Sequence, residues 1–325
     1  ILVRLRLRLS GPDSSPKFVE LRREYKKDDQ ITLDSVPVLE IWPNFRSRNW
    51  NLYYTYFSKT GQNTFYAKPF VVEGKATPEK INPESEITLT SVFPTAVLCY
   101  ALSPSVQVSR WDEKYAGLIL LTIPGPEVSE TNGTWRIGVD FGTTSTSVFI
   151  ASGESEGEPL VFRKELIAQV TASGSDRSKL YDEFIPGESE PIPFLSFFQE
   201  FGNRAKSQPI NIFSDGHIFF LNKSKKLGEI PTNVSKNLKW SEEDLDRDRT
   251  TAFLEQVCCQ ALAEVASKGG TEVSWRYSYP TAFSEIVSSG LPQKWQQITE
   301  RYHRLTGMKR LCPMPDASTT PDPLC

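Results

Sequence analysis

Asp140-Phe141-Gly142-Thr143-Thr144-Ser145-Thr146 gathers in one short stretch the groups that a phosphate ester requires. Gly142 carries no Cβ, so backbone can approach a phosphate closely. The amides that follow can point inward as a small anion nest. The hydroxyls of Thr143, Thr144 and Ser145 add donors for phosphate oxygens. Asp140 closes the apolar run Ile137-Gly138-Val139, where it can hold Mg²⁺ through water. A carboxylate set directly against a triphosphate would be repelled, so this chemistry needs a bridging cation.

Other chemistries fit these residues less well. Asp140-Phe141-Gly142 also spells a protein-kinase tripeptide. The chain has no His-Arg-Asp loop, Gly-rich loop, Val-Ala-Ile-Lys strand or Ala-Pro-Glu to accompany it. Gly74-Lys75-Ala76-Thr77 lacks the first glycine of a Walker A loop. Cys99, Cys258, Cys259, Cys312 and Cys325 include no CxxC pair, and His217 and His303 are the only histidines, so zinc-ligand spacing is absent. No Ser-His-Asp or Cys-His arrangement can be assembled. Glu242, Glu243, Asp244, Asp246 and Asp248 read as helix N-terminal acids rather than a metal site. The plain alternative for residues 140–145 is a hairpin turn rich in Gly and Thr.

The elements that must position this turn can be read from periodicity. Trp135–Val139 and Thr146–Ala151 form strands on either side of it, and Ser152–Pro159 is an acidic turn before a strand beginning at Leu160–Phe162. Glu165–Pro191 is polar and reads as irregular. Phe194–Phe198 and His217–Leu221 are short strands. A helix follows Ser241–Asp248 and runs to about Lys268, with Phe253, Leu254, Val257, Cys258, Ala261, Leu262 and Val265 at helical spacing. Gly269-Gly270 ends it. Val273–Tyr279 is a strand. Pro292 starts a second helix, with Trp295, Ile298, Tyr302 and Leu305 on one face and Gly307 as its stop. Helix, strand, helix in this order implies an α/β lobe.

Residues 1–125 are β-rich and sandwich-like. Short apolar runs, Val36–Trp42, Trp50–Phe57, Thr64–Val72, Glu86–Val92, Ala96–Leu102 and Ala116–Ile123, are separated by breakers. Val3, Leu5, Leu7 and Leu9 alternate with Arg4, Arg6 and Arg8, the pattern of a half-buried strand. The aromatic run from Trp42 to Phe57 reads as core and cross-strand packing rather than an exposed binding surface. Residues 126–134 form a polar linker, with a turn at Asn132-Gly133. The expected fold is thus α+β in two domains, residues 1–125 and residues 135–325.

Ile137-Gly138-Val139-Asp140-Phe141-Gly142-Thr143-Thr144-Ser145 resembles the first phosphate motif shared by actin, sugar kinases and seventy-kilodalton heat-shock chaperones, most nearly the last. Pro191-Ile192-Pro193-Phe194-Leu195-Ser196-Phe197 is similar to the Thr-Pro-Ser strand of those chaperones. Pro231-Thr232-Asn233, ahead of Lys236 and Lys239, resembles the segment leading to their catalytic lysine, and the spacing does not choose between the two. As ordinary residues, both lysines read as surface cations. Ser278-Tyr279-Pro280-Thr281-Ala282-Phe283 looks like the Val-Pro-Ala-Tyr-Phe turn.

The resemblance implies that residues 135–325 are the first, ribonuclease-H-like lobe of an actin-like ATPase. It implies ATP and Mg²⁺ as cofactors. Asp140 would serve the metal, Gly142, Thr143, Thr144 and Ser145 the phosphates, and Lys236 or Lys239 catalysis. It covers about residues 135–312. The second phosphate loop, Asp-x-Gly-Gly-Gly-Thr, and the Gly-Gly adenosine motif do not occur. The expectation is therefore one jaw of a two-jaw clamp, in a chain that begins at Ile1 rather than at a methionine. A scaffold that uses the lobe as a frame and residues 1–125 for partners is the alternative.

The chain has 325 residues, 38% of them hydrophobic and 24% charged, with a formal net charge of -3. That composition is globular and lacks the basic excess of a nucleic-acid binder. No run of eighteen apolar residues offers a membrane span. Arg4, Arg6 and Arg8 interrupt any signal-peptide core. The odd cysteine count favours reduced thiols and a cytoplasmic location.

Overall fold

Alternation of apolar and polar side chains along Trp135–Phe141 gives a strand with one buried edge of residues, Trp135, Ile137, Val139 and Phe141. The computed structural model describes residues 2–9, 17–24, 39–57, 65–70, 87–102, 113–121, 125–131, 133–142, 144–163, 166–171, 193–200, 208–213, 215–219, 230–236, 238, 244–278 and 285–311. The strands in the first part are β1 (Leu2–Leu9), β2 (Lys17–Glu24), β3 (Leu39–Trp42), β4 (Tyr53–Phe57), β5 (Phe65–Phe70), β6 (Ile87–Thr90), β7 (Ala96–Leu102) and β8 (Glu113–Leu120). They are followed by β9 (Thr134–Phe141), β10 (Ser145–Ser152), β11 (Glu158–Pro159), β12 (Ala168–Thr171), β13 (Phe194–Leu195), β14 (Phe198–Glu200), β15 (Gly216–Ile218) and β16 (Val234–Ser235). Helix α1 (Asp244–Ser267), β17 (Glu272–Ser278), α2 (Glu285–Thr306) and β18 (Lys309–Leu311) complete the order. The architecture is mixed α+β.

The sheet that carries the turn has the order β11-β10-β9-β17-β18, with β13 on the free part of β10. β9, β10 and β11 form an antiparallel meander. β17 runs parallel to β9, and β18 parallel to β17. In sequence, α1 precedes β17 and α2 joins β17 to β18, as parallel neighbours require a crossover connection. Both helices pack on one face. Phe253 of α1 stacks on Phe141 at 5.6 Å. Trp295 of α2 meets Trp275 at 5.4 Å and stacks on Tyr277 at 4.8 Å. On the opposite face Arg136, Asp140, Phe149, Arg276 and Ser278 are exposed.

Helix α1 is enclosed on all sides: every residue from 252 to 266 is buried. Its polar side chains are matched to partners. Gln256 accepts from the Ile218 N–H at 2.7 Å and donates to the Ile212 and Gly216 carbonyls at 2.8 Å each. Glu255 pairs with Arg301 at 2.7 Å, and Glu264 with Arg163 at 2.8 Å. The helix begins at Asp244, inside the acidic stretch expected to precede it, because carboxylates suit the positive end of a helix dipole. Gly269, at φ +87, ends it, and the N–H groups of Gly269 and Gly270 return to Ala266 and Val265.

Helix α2 departs from the expected start. Pro292 lies inside it rather than at its first turn. A proline removes one backbone donor there, and the helix nevertheless extends back to Glu285. Its buried face is Trp295, Ile298, Thr299, Tyr302, His303 and Thr306, while Leu305 is 39% exposed. Trp295, Ile298 and Tyr302 are thus buried as expected, while the buried side also takes in Thr299, His303 and Thr306 and leaves Leu305 out. Gly307, at φ +82, stops the helix as expected.

Strands from both sides of residues 126–134 share one core. β12 pairs with β3 in the order β12-β3-β4-β6, so the polar stretch read as irregular contains a strand whose partner lies far back in the chain. Tyr54 stacks on Phe213 at 4.7 Å and donates its hydroxyl to the Phe213 carbonyl. Asn51 N–H donates to Thr306 O at 2.7 Å. The Arg46 backbone bonds Pro126 and Val128 within the expected linker. The aromatic run is core: Trp42, Phe45, Trp50, Tyr53, Tyr54 and Tyr56 are all buried in the cluster that also holds Phe253 and Trp275. Asn132 lies outside the described residues.

β1 and β2 form their own antiparallel pair, with Leu5 opposite Leu21 and Leu7 opposite Val19. Leu5 is 51% and Leu7 42% exposed. The strand is where the alternation places it, but the face of these leucines is exposed rather than covered. Alternation fixes which side chains share a face and is silent on whether anything covers that face.

Candidate functional site

Asp140 is the last residue but one of β9, and Ser278 is the last of β17. The two stand opposite each other in the parallel register. Period-2 geometry puts both on the open face of the sheet, and both are exposed. Ser278 Oγ donates to Asp140 Oδ1 at 2.6 Å. A carboxylate so placed accepts one local bond and keeps access to water.

Phe141, the next residue, is fully buried against Phe253 and Tyr277. It fixes the end of β9 from below. Gly142 follows. A Cβ on Gly142 would collide with the backbone carbonyl of Ser145. The missing side chain, credited in the sequence with making room for a phosphate, is required first by the turn itself. Thr144 is exposed and Ser145 half-buried. Thr143 lies outside the described residues.

The turn is also held from its flank. Ser196, directly after β13, is fully buried. Its N–H donates to the Thr144 carbonyl at 2.9 Å. Its Oγ donates to the Gly142 carbonyl at 3.1 Å. The Thr146 Oγ lies 2.8 Å from Ser196 Oγ. Since the single Ser196 hydroxyl proton goes to Gly142, Thr146 is the donor in that pair. Ser196 and Ser278 were both inside motifs singled out in the sequence, but neither was given a role there. The available signal was a hydroxyl residue at a strand end beside the turn.

Lys236 is exposed just after β16, in the sheet β15-β14-β16 rather than the sheet of Asp140. Lys239 and Pro280 lie outside the described residues. Among the described residues no three His, Cys, Asp or Glu side chains gather in a metal-binding group, and no helix is long and apolar enough to cross a membrane.

Several perturbed groups lie on the two helices, and burial also pushes the Tyr53 phenol on β4 up to about 12. Burial holds the His303 imidazole down to about 4. Trp275 Nε1–H donates to His303 Nε2 at 2.8 Å, and His303 Nδ1 lies 2.8 Å from the Met308 carbonyl. An indole can only donate, so the neutral ring carries its proton on Nδ1. Burial likewise pushes the Cys258 and Cys259 thiols up, which keeps them protonated and unreactive. Glu255 is raised by burial, with Arg301 opposing.

Comparison of the chain with known protein families, curated proteins and solved structures finds no match.

Proposed function

We propose that the sheet of β9, β10 and β17 with its two helices is a nucleotide-binding lobe of the actin-like, heat-shock-chaperone-like kind. ATP with Mg²⁺ would sit against residues 140–145. The observation that carries this reading is placement. Asp140 and the Gly142–Ser145 turn stand at the carboxyl ends of the parallel pair β9 and β17, the edge where sheets with parallel strands bind ligands. The order of α1, β17 and α2, helix, strand, helix, is the order that the resemblance implies, which further supports it.

The donor set fits the cation. One exposed carboxylate, outside any group of three His, Cys, Asp or Glu side chains among the described residues, suits an ion that keeps several waters and takes its remaining ligands from phosphates. When bound, Mg²⁺ would neutralise charge between the phosphates. Asp140 would orient it through water, with Ser278 fixing the carboxylate. Thr143, Thr144 and Ser145 would contact the terminal phosphates. Phosphoryl transfer to water rests on positioning and charge neutralisation more than on covalent chemistry, and either Lys236 or Lys239 would orient the water. Residues 1–125 would meet a protein client or partner.

Calorimetric titration of the chain with Mg-ATP, beside Asp140→Ala, tests this. Binding tighter than about 100 μM, roughly 5.5 kcal/mol, that is lost in the variant is the expected result. Equal affinity in both proteins, with circular dichroism unchanged, removes Asp140 from the site. A second reading, a scaffold that binds partners without hydrolysis, draws its support from the exposed leucines of β1 and β2.

A further inference from the structure

We infer that Ser196 is the positioning residue of the phosphate turn, a latch that sets the direction of its peptide groups before any ligand arrives; the assignment of a phosphate to this turn rests on the nucleotide reading above. Three observations converge. Ser196 is fully buried, so its polar atoms must find protein partners. All of its described bonds go to residues 142–146. It reaches them from β13, an element some fifty positions further along the chain, so the restraint does not come from the hairpin itself.

The consequence follows from the planar trans peptide, in which C=O and the next N–H point in opposite directions. Ser196 N–H holds the Thr144 carbonyl toward β13. The Ser145 N–H, in the same peptide plane, is thereby turned away from β13. Ser196 Oγ holds the Gly142 carbonyl on its own side as well. Two carbonyl oxygens, the groups that would repel an anion, are thus occupied by one buried residue. Thr146 Oγ–H completes the relay by donating to Ser196 Oγ, which leaves the serine proton committed to Gly142. Preorganised amides cost no rearrangement when an oxyanion arrives.

Ser196→Ala removes the hydroxyl and keeps the backbone bond. Thr146→Val removes the relay donor at nearly constant volume. Thr146→Ser keeps it and serves as the conservative control. Two measurements are made on the full chain: Mg-ATP affinity by calorimetry, and amide hydrogen exchange across residues 144–147 without nucleotide. Thermal melting checks the fold. Expected are about a tenfold loss of Mg-ATP affinity, some 1.4 kcal/mol, and at least about tenfold faster exchange in the turn for Ser196→Ala and Thr146→Val. Thr146→Ser should stay within about threefold of the parent on both measures. A merely structural contribution would lower the melting midpoint while leaving affinity and turn exchange alone, and that result overturns the inference. If the parent does not bind Mg-ATP, the nucleotide reading fails by itself. Exchange in the turn then still decides on the latch, which is rejected if Ser196→Ala exchanges like the parent.

Discussion

At the scale of single residues, the molecule separates groups poised to meet solvent from groups sealed against it. Asp140 and Ser278 face water together, and their hydrogen bond is the local link between two parallel strands at the candidate site. His303 is the opposite case. Its ring accepts from Trp275 and donates to Met308, and protonating Nε2 would set a new N–H against the indole donor. Its value is held at about 4, below the ordinary 6.5. Between those values the unfolded chain binds the proton and the folded chain does not, so stability is full above about pH 6.5 and falls as the pH drops toward 4. The loss is at most roughly 3 kcal/mol for this group. His303→Gln, which keeps a donor and an acceptor, should flatten that part of the pH profile in urea unfolding between pH 7 and pH 4. An unchanged slope would mean that other groups carry it.

At the scale of elements, α1 is the piece on which most others close. Gln256 serves three backbone groups, the Ile212 carbonyl and two in β15, so one side chain docks a strand and the turn before it onto a helix. Gln256→Leu fills similar space and leaves those groups without their partner. It should cost roughly 2–4 kcal/mol in chemical denaturation; a loss under about 1 kcal/mol would mean that water or a shifted backbone replaces it. The helices also mark how far the sequence could be read. The hairpin of β9 and β10, the two helices, β17 and both glycine stops were legible because each follows from local spacing. The pairing of β12 with β3 was not, since it joins polar and apolar runs more than a hundred positions apart and neither run names its partner. The polar part of the buried side of α2 was missed for a related reason, although Trp295, Ile298 and Tyr302 were placed on it. Thr299, His303 and Thr306 count as polar in a pattern, yet each spends its polar atoms on a neighbour inside the protein. Of the candidate site, Asp140 and the turn were singled out by residue type. The latch at Ser196 was not, because a buried serine announces itself only through the geometry of what lies beside it.

At the scale of the whole molecule, the aromatic residues of 42–56 and the helices of the candidate lobe occupy one hydrophobic cluster. Melting should therefore be a single transition for this core, with tyrosine and tryptophan signals changing together. Trp42→Ala removes a fully buried ring that meets Trp50 at 6.2 Å and Phe213 at 6.4 Å. It should destabilise the entire unit by about 3–5 kcal/mol, read as one transition shifted to lower temperature. Two resolved transitions, only one of them moved, would show that the segments melt independently. The two glycine stops extend the same logic to descent. Gly269 and Gly307 each hold a left-handed backbone. Each also sits where a Cβ would strike something brought in from elsewhere, the Ser129 carbonyl for Gly269 and the Asn51 side chain for Gly307. Torsion and crowding exclude a side chain there independently, so relief of one does not relieve the other. Over evolutionary time these two sites should stand still while the exposed faces of the same helices drift, and a lineage that changed either glycine would first have to alter residues on the far side of the contact.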